Sequence, residues 1–394
     1  MKSVLVSMLA IAALASCSRQ EFVDPPGPQE GGKMLVDITL NSGETTKASD
    51  AATVAADKTI SDVTVFFLNP TNQIVSKQWV DGSGLTDDGS GVKTATLETR
   101  STATQMMVIA NLGGDRTTGT LNVSTKAQLQ AVVQSLINTD NPPLPVQVTG
   151  DVLMSGEGTV DNMTASPDGS ASTADASVTL NFIAAKITLS SIELGADVKG
   201  DYGTDFKFTR AFLLNVQTNS WYFPTASSYI PDPKAYANGS AWDASWGVDP
   251  GYPVVADFNQ ALNFPDMNAA KTDIAHWYVF ENNPTSVQQA EHPTILVVEV
   301  EWTKTKADAD AGVAEEKVMK MFNVIFAPGD KGEIKAGQAY NVALTFNGDF
   351  RPENQGGNGG GGDDKPDQPN VNANVAITVT PASWNDQNTQ KPFE

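Results

Sequence analysis

The sequence predicts a mostly β protein: two antiparallel β-sandwich domains, one short helix in the first, and a C-terminal strand held on a tether. Three observations carry that expectation. Short runs rich in Val, Ile, Thr, Phe, Tyr and Trp recur from Thr59 to Phe346, bounded by Gly, Asn, Asp and Pro; this is the composition of half-buried strands and the turns between them. In "MLVDITL" and "NVAITVTPASW", on either side of that region, apolar residues fall on every second position, so each segment has one face to bury. Helical periodicity interrupts the strands in a single place, which fits sandwiches better than alternating β and α units.

The first segment, residues 1–17, has a basic start at Lys2, an apolar run from Val4 to Ala15, and then Cys17. That run is a secretory signal, too short for a membrane-spanning helix. The order Leu-Ala-Ser-Cys resembles the lipobox of bacterial lipoproteins, which implies cleavage before Cys17 and a lipid on its sulfur. Cys17 is the chain's one cysteine, which excludes an intramolecular disulfide and a zinc thiolate cluster.

Residues 18–47 form a polar spacer rich in proline and glycine, followed by the first strand, with Met34, Val36, Ile38 and Leu40 on one face. The loop after it, "NSGETTKASDAATVAADKT", is small and polar, and such loops are exposed and easily nicked. Strand segments then follow: "TISDVTVFFL", "QIVSKQWV", "KTATLET" and "TQMMVIANL". In "STKAQLQAVVQSLIN", Thr125 and Gln128 have capping-box spacing, and Leu129, Val132, Val133, Leu136 and Ile137 make one apolar stripe. A helix is predicted there. The polar insert "MTASPDGSASTADAS" precedes a run from Val178 to Leu194, longer than an ordinary strand. A domain boundary is placed near Ala185, giving domains over 48–185 and 186–350. The second contains "FKFTRAFLLNV", "WYVF", "TILVVEVEW", "VMKMFNVIFA" and "AYNVALTF". Residues 351–370 are a glycine-rich linker, and 371–394 are the tethered strand, with Val371, Ala373, Val375, Ile377 and Val379 in its apolar row. A lone strand cannot satisfy its own backbone, so it needs a sheet, in its own chain or in another.

The chemistry of an enzyme is not legible. The chain has two histidines, His276 in "AHWYVF" and His292 in "EHPTILVVEV", neither beside a recognisable partner. The glycine runs lack the Lys and Ser or Thr of a phosphate loop. In "KADADAG", Asp308, Asp310 and Gly312 miss calcium-loop spacing, and Asp87 and Asp88 read as a hairpin end. No catalytic residue, metal or cofactor is expected. With 25 Lys and Arg against 46 Asp and Glu, the formal charge is −21, and without a basic patch nucleic acid is not an expected partner.

The lipobox, the "MLVDITLNSGETTKASD" block, the paired all-β domains, the "AYNVALTFNG" ending and the tail "VAITVTPASW" together resemble the fimbrillins of type V pili, the major and minor fimbrial subunits of Bacteroidales. The resemblance implies transthyretin-like sandwiches in a structural subunit of a cell-surface fimbria that supports adhesion. It implies a precursor anchored in the outer membrane by lipid (palmitate) on Cys17, and a trypsin-like protease that cuts between Lys47 and Ala48. Lys47 stands where the family has an arginine, which leaves the protease unidentified. The cut would release the strand of Met34, Val36, Ile38 and Leu40, and its groove would take the C-terminal strand of an identical or related subunit, from Val371 to Trp384. Host or bacterial surface ligands are further possible partners. The rival reading is a monomeric surface lipoprotein that binds glycans through Trp221, Tyr222, Trp242 and Trp246.

Overall fold

The computed structural model describes residues 31–42, 56–87, 92–138, 146–165, 171–195, 206–224, 231, 235–243, 248–264, 267, 269–282, 292–305, 310–326, 334–346 and 375–383. The first half contains β1 (Lys33–Asn41), β2 (Asp62–Leu68), β3 (Ile74–Asp81), β4 (Thr86–Asp87), β5 (Lys93–Arg100), β6 (Gln105–Ala110), the short helix α1 (Lys126–Gln130), β7 (Val133–Ser135), β8 (Met154–Thr164), β9 (Ser172–Thr179) and β10 (Asn181–Phe182). The second half contains β11 (Ala184–Leu194), β12 (Phe206–Leu214), β13 (Val216–Gln217), β14 (Asn219–Trp221), β15 (Tyr236–Ala237), β16 (Asn259–Phe264), β17 (Lys271–Phe280), β18 (Ile295–Thr305), β19 (Glu316–Ile325), β20 (Gln338–Phe346) and β21 (Val375–Ser383).

The strands of the first half run in the order β3-β2-β6-β8-β9-β1-β5-β4, with β10 added to β8. One path serves both faces of the sandwich because β8 is long. Its N-terminal part pairs with β6 and β10, and its C-terminal part pairs with β9. Gly156 and Gly158 lie where β8 changes partners. A Cβ on Gly156 would fall on the carbonyl oxygen of Thr179, and one on Gly158 on that of Ser177. Glycine is needed there because another backbone passes too close for any side chain.

The second half repeats this plan. In each half the first strand runs parallel to a late one, β1 with β9 and β11 with β20. In each half the first strand has an antiparallel neighbour on its other side, β5 or β17. The opposing sheet, β16-β12-β18-β19, matches β3-β2-β6-β8. The difference lies at the closing strand. Where β8 spans both sheets of the first half, the second half uses two separate strands, β19 beside β18 and β21 beside β20.

The helix is shorter than the sequence predicts. Thr125 caps it by accepting from the Gln128 amide, but α1 ends at Gln130. Val133–Ser135 is instead a strand paired with β14 of the second half. Leu129 and Leu136 are buried, whereas Val133 is 41% exposed, so the stripe does not lie on one helical face. Two consecutive β-branched residues, Val132 and Val133, weaken a helix, and a backbone partner in the other domain decides the outcome.

Substituting Gly158→Val should force β8 away from β9 and lower stability by about 2 kcal/mol or more. Urea denaturation followed by tryptophan fluorescence measures it, and an equal midpoint would show that the close approach is not a constraint.

Candidate functional site: the first strand and its groove

β1 lies between β5 and β9 and pairs with both. Its register sets Val36 opposite Leu97 and Ala174, and Ile38 opposite Ala95 and Ala176. The flanking chain extends the ladders: the Ser101 amide donates to Gly32 O, and the Leu180 amide donates to Asn41 O. Met34, Val36, Ile38 and Leu40 are all buried to 1% exposure or less and belong to the main core cluster. Leu35 and Asp37 face out, with Thr96 donating its hydroxyl to the Asp37 carboxylate. Burial of four such side chains contributes on the order of 10 kcal/mol gross. Remove β1 and a groove remains, floored by the core and walled by two unpaired ladders.

β21 pairs with β20 of its own chain, antiparallel, so that Val375 lies opposite Phe346, Ile377 opposite Leu344 and Val379 opposite Val342. β20 carries an alternating face, with Val342, Leu344 and Phe346 fully buried. Among the described residues, no strand lies on the other side of β21.

Cys17, Lys47 and Ala48, and the tail residues Val371, Ala373 and Trp384, lie outside the described residues, as does Trp246. The aromatics considered for sugar stacking do not form one exposed surface. Tyr222 is 1% exposed, its hydroxyl donating to the Gln134 side chain, and Trp242 packs against the small cluster of Phe212, Leu214, Ile295 and Val297. Among the described residues there is no metal-binding cluster of His, Cys, Asp and Glu, and no helix long and apolar enough to cross a membrane.

One element absent from the sequence reading sits between the halves. Lys186, on β11, holds Asp57 at 2.7 Å, with side-chain exposures of 6% and 0%. Tyr278, opposite Lys186 on β17, donates its hydroxyl to the other Asp57 oxygen. The Tyr278 oxygen therefore accepts from Thr149, 2.9 Å away. Thr149 in turn accepts from His276 Nε2 at 3.0 Å. Burial, and then the bond to Asp57, push the Tyr278 hydroxyl far above its usual pKa. Burial and the nearby Lys186 charge hold His276 below its own. The sequence carried one signal of this cluster, a lone lysine inside the apolar run "FIAAKITL". A lysine buried there demands an anion, but nothing in the spacing points to Asp57.

The chain thus presents paired sandwiches, a strand locked in the first, and a tail lying on the second. The family of FimA-like major fimbrial subunit proteins, C-terminal domain, matches residues 184–384, and the major fimbrial subunit protein (FimA) family matches residues 35–190. The chain belongs to this fimbrial subunit family. Among curated proteins nothing matches. Solved structures share the fold. A candidate cell adhesion protein from Bacteroides eggerthii is 24% identical, with a TM-score of 0.67 over 91% of this chain and 98% of its own. A fimbrilin (FimA) from Porphyromonas gingivalis is 17% identical, with a TM-score of 0.56 over 90% and 99%. A candidate cell adhesion protein from Parabacteroides distasonis is 19% identical, with a TM-score of 0.54 over 92% and 100%.

Asp57→Asn should strand the Lys186 charge in the seam and cost about 3–5 kcal/mol, whereas Asp57→Leu combined with Lys186→Met should recover most of that loss. Thermal and urea melts of the two variants decide it, and a single mutant as stable as the parent would remove the pair from the set of stabilising contacts.

Proposed function

We propose that this chain is a structural subunit of a cell-surface fimbria that is exported as a lipid-anchored precursor, cut after Lys47, and polymerised when the C-terminal strand of one copy fills the groove left by β1 in the next. The supporting observation is the position of β1. It is a central strand with four side chains in the core, and it leads, after Ser42, into the small polar segment that contains Lys47.

While that connection is intact, β1 has a high effective concentration in its own groove and excludes a competing strand. Once the chain is cut, β1 is held by noncovalent contacts alone and can be replaced. The cut would also detach the fold from Cys17, so anchoring ends in the same event that opens the groove. The tail gains from the move. On β20 it pairs along one edge, whereas between β5 and β9 it would pair along both and place its apolar row in the core. The linker of residues 351–370 spans about 66 Å when fully extended and about 25 Å as a coil, enough to reach an adjoining subunit.

Lys47→Ala should leave an intact, lipid-anchored monomer. Ile377→Asp should permit the cut but block assembly, because a buried unpaired carboxylate costs several kcal/mol. The N-terminal sequence of sheared filaments and their presence on cells test both: Ala48 at the start is the expected result, and normal filaments from either variant would overturn the reading.

A further inference from the structure

We infer that the tail enters the β1 groove in β1's own direction, parallel to β9, with Ile377 taking the place of Ile38; this rests on the strand exchange proposed above. Residues 36–40 read Val-Asp-Ile-Thr-Leu, and residues 375–379 read Val-Ala-Ile-Thr-Val. From N to C the two strands share Val, Ile and Thr at the same spacing and end on a branched aliphatic residue. The tail repeats three of five residues of the strand it would replace.

The groove distinguishes these positions by size. Ile38 is flanked by Ala95 and Ala176, two small residues that leave lateral room for a large side chain, whereas Val36 is crowded by Leu97 on one side. In β1's direction, Val375 and Ile377 reproduce Val36 and Ile38, and Val379 replaces Leu40 with the loss of one methylene. Ala373 falls at the site of Met34.

Pro381 selects the direction. A central strand gives its amides alternately to both neighbours, and proline has none to give. Aligned as above, Pro381 falls one residue past Asn41, the end of β1, outside both ladders. Reversed with Ile377 still at the Ile38 site, Pro381 would occupy the Met34 position, opposite Thr99 and Ser172 and inside both ladders. Sliding the reversed strand by two residues expels the proline but puts Val375 at the Ile38 site, between Ala95 and Ala176, and Ala373 at the Leu40 site, so that volume is lost at both. In its own chain, Pro381 lies opposite Tyr340 on a strand that, among the described residues, pairs with β20 alone, where a missing amide is tolerated.

Cysteine pairs read the register directly. Leu35 lies opposite Glu98, and the proposed alignment puts Asn374 in the place of Leu35. Subunits carrying Glu98→Cys and Asn374→Cys, assembled into filaments and mildly oxidised, should run as a ladder of covalent oligomers that reductant collapses. Glu98→Cys paired with Asn372→Cys, Thr378→Cys or Thr380→Cys should give no ladder. A ladder from Thr378→Cys or Thr380→Cys overturns the direction while leaving strand exchange intact, and one from Asn372→Cys overturns the register. Filaments that cross-link with none of the four overturn the alignment if they still require residues 371–394, and overturn strand exchange itself if they do not.

Discussion

A strand that pairs on both sides cannot be withdrawn without stranding the backbone donors and acceptors of two neighbours, and β1 is in that position. Unpaired, buried backbone groups are costly, and removal of the side chains of Met34, Val36, Ile38 and Leu40 would leave voids in the core cluster they belong to. The first domain is therefore complete only when some strand occupies this slot. The parallel partner, β9, is the last long strand of its half, so the slot joins the beginning and end of the domain.

The two halves meet through contacts of different kinds. Three residues of β7 pair with three of β14, and the Leu136 amide donates across the same seam to Thr218 O. Beside them lies the buried Asp57–Lys186 pair with Tyr278, Thr149 and His276 arrayed on it. Backbone ladders fix distance and direction, and a buried ion pair adds a strict requirement for one geometry. Asp57 lies at the start of the described residues that follow Lys47 in the sequence. This ties the chain to the seam just downstream of the proposed cut.

Much of this architecture is written in local pattern. The alternation in "MLVDITL" specified both the strand and its buried face, and Thr125 correctly marked the start of α1, because period and capping are short-range physics. The sequence misled at Val132 and Val133, where an apolar stripe with helical spacing was claimed by a strand partner more than eighty residues away in sequence. Lys186 advertised an anion without naming it, since which carboxylate meets it depends on how two domains dock. The aromatic residues Tyr222 and Trp242 looked available for a ligand, yet packing across the chain removed Tyr222 from the surface and laid Trp242 against a cluster. Properties set by neighbours in sequence were legible; those set by neighbours in space were not.

The divided closing strand of the second half has a consequence for the two ends of such a molecule. In the first half β8 is continuous and closes both sheets permanently, whereas beside β20 the closure is made by β21, which arrives only after a long connection. If β21 leaves to serve a neighbour, the row of amides and carbonyls on β20 becomes a bare margin, and bare margins recruit strands indiscriminately. The donor would thus trade a self-limiting state for a reactive one, and a string of subunits would be unlike at its two termini, with an empty slot at one and a self-covered margin at the other. Such polarity would make growth vectorial and would let a terminator need only one kind of surface.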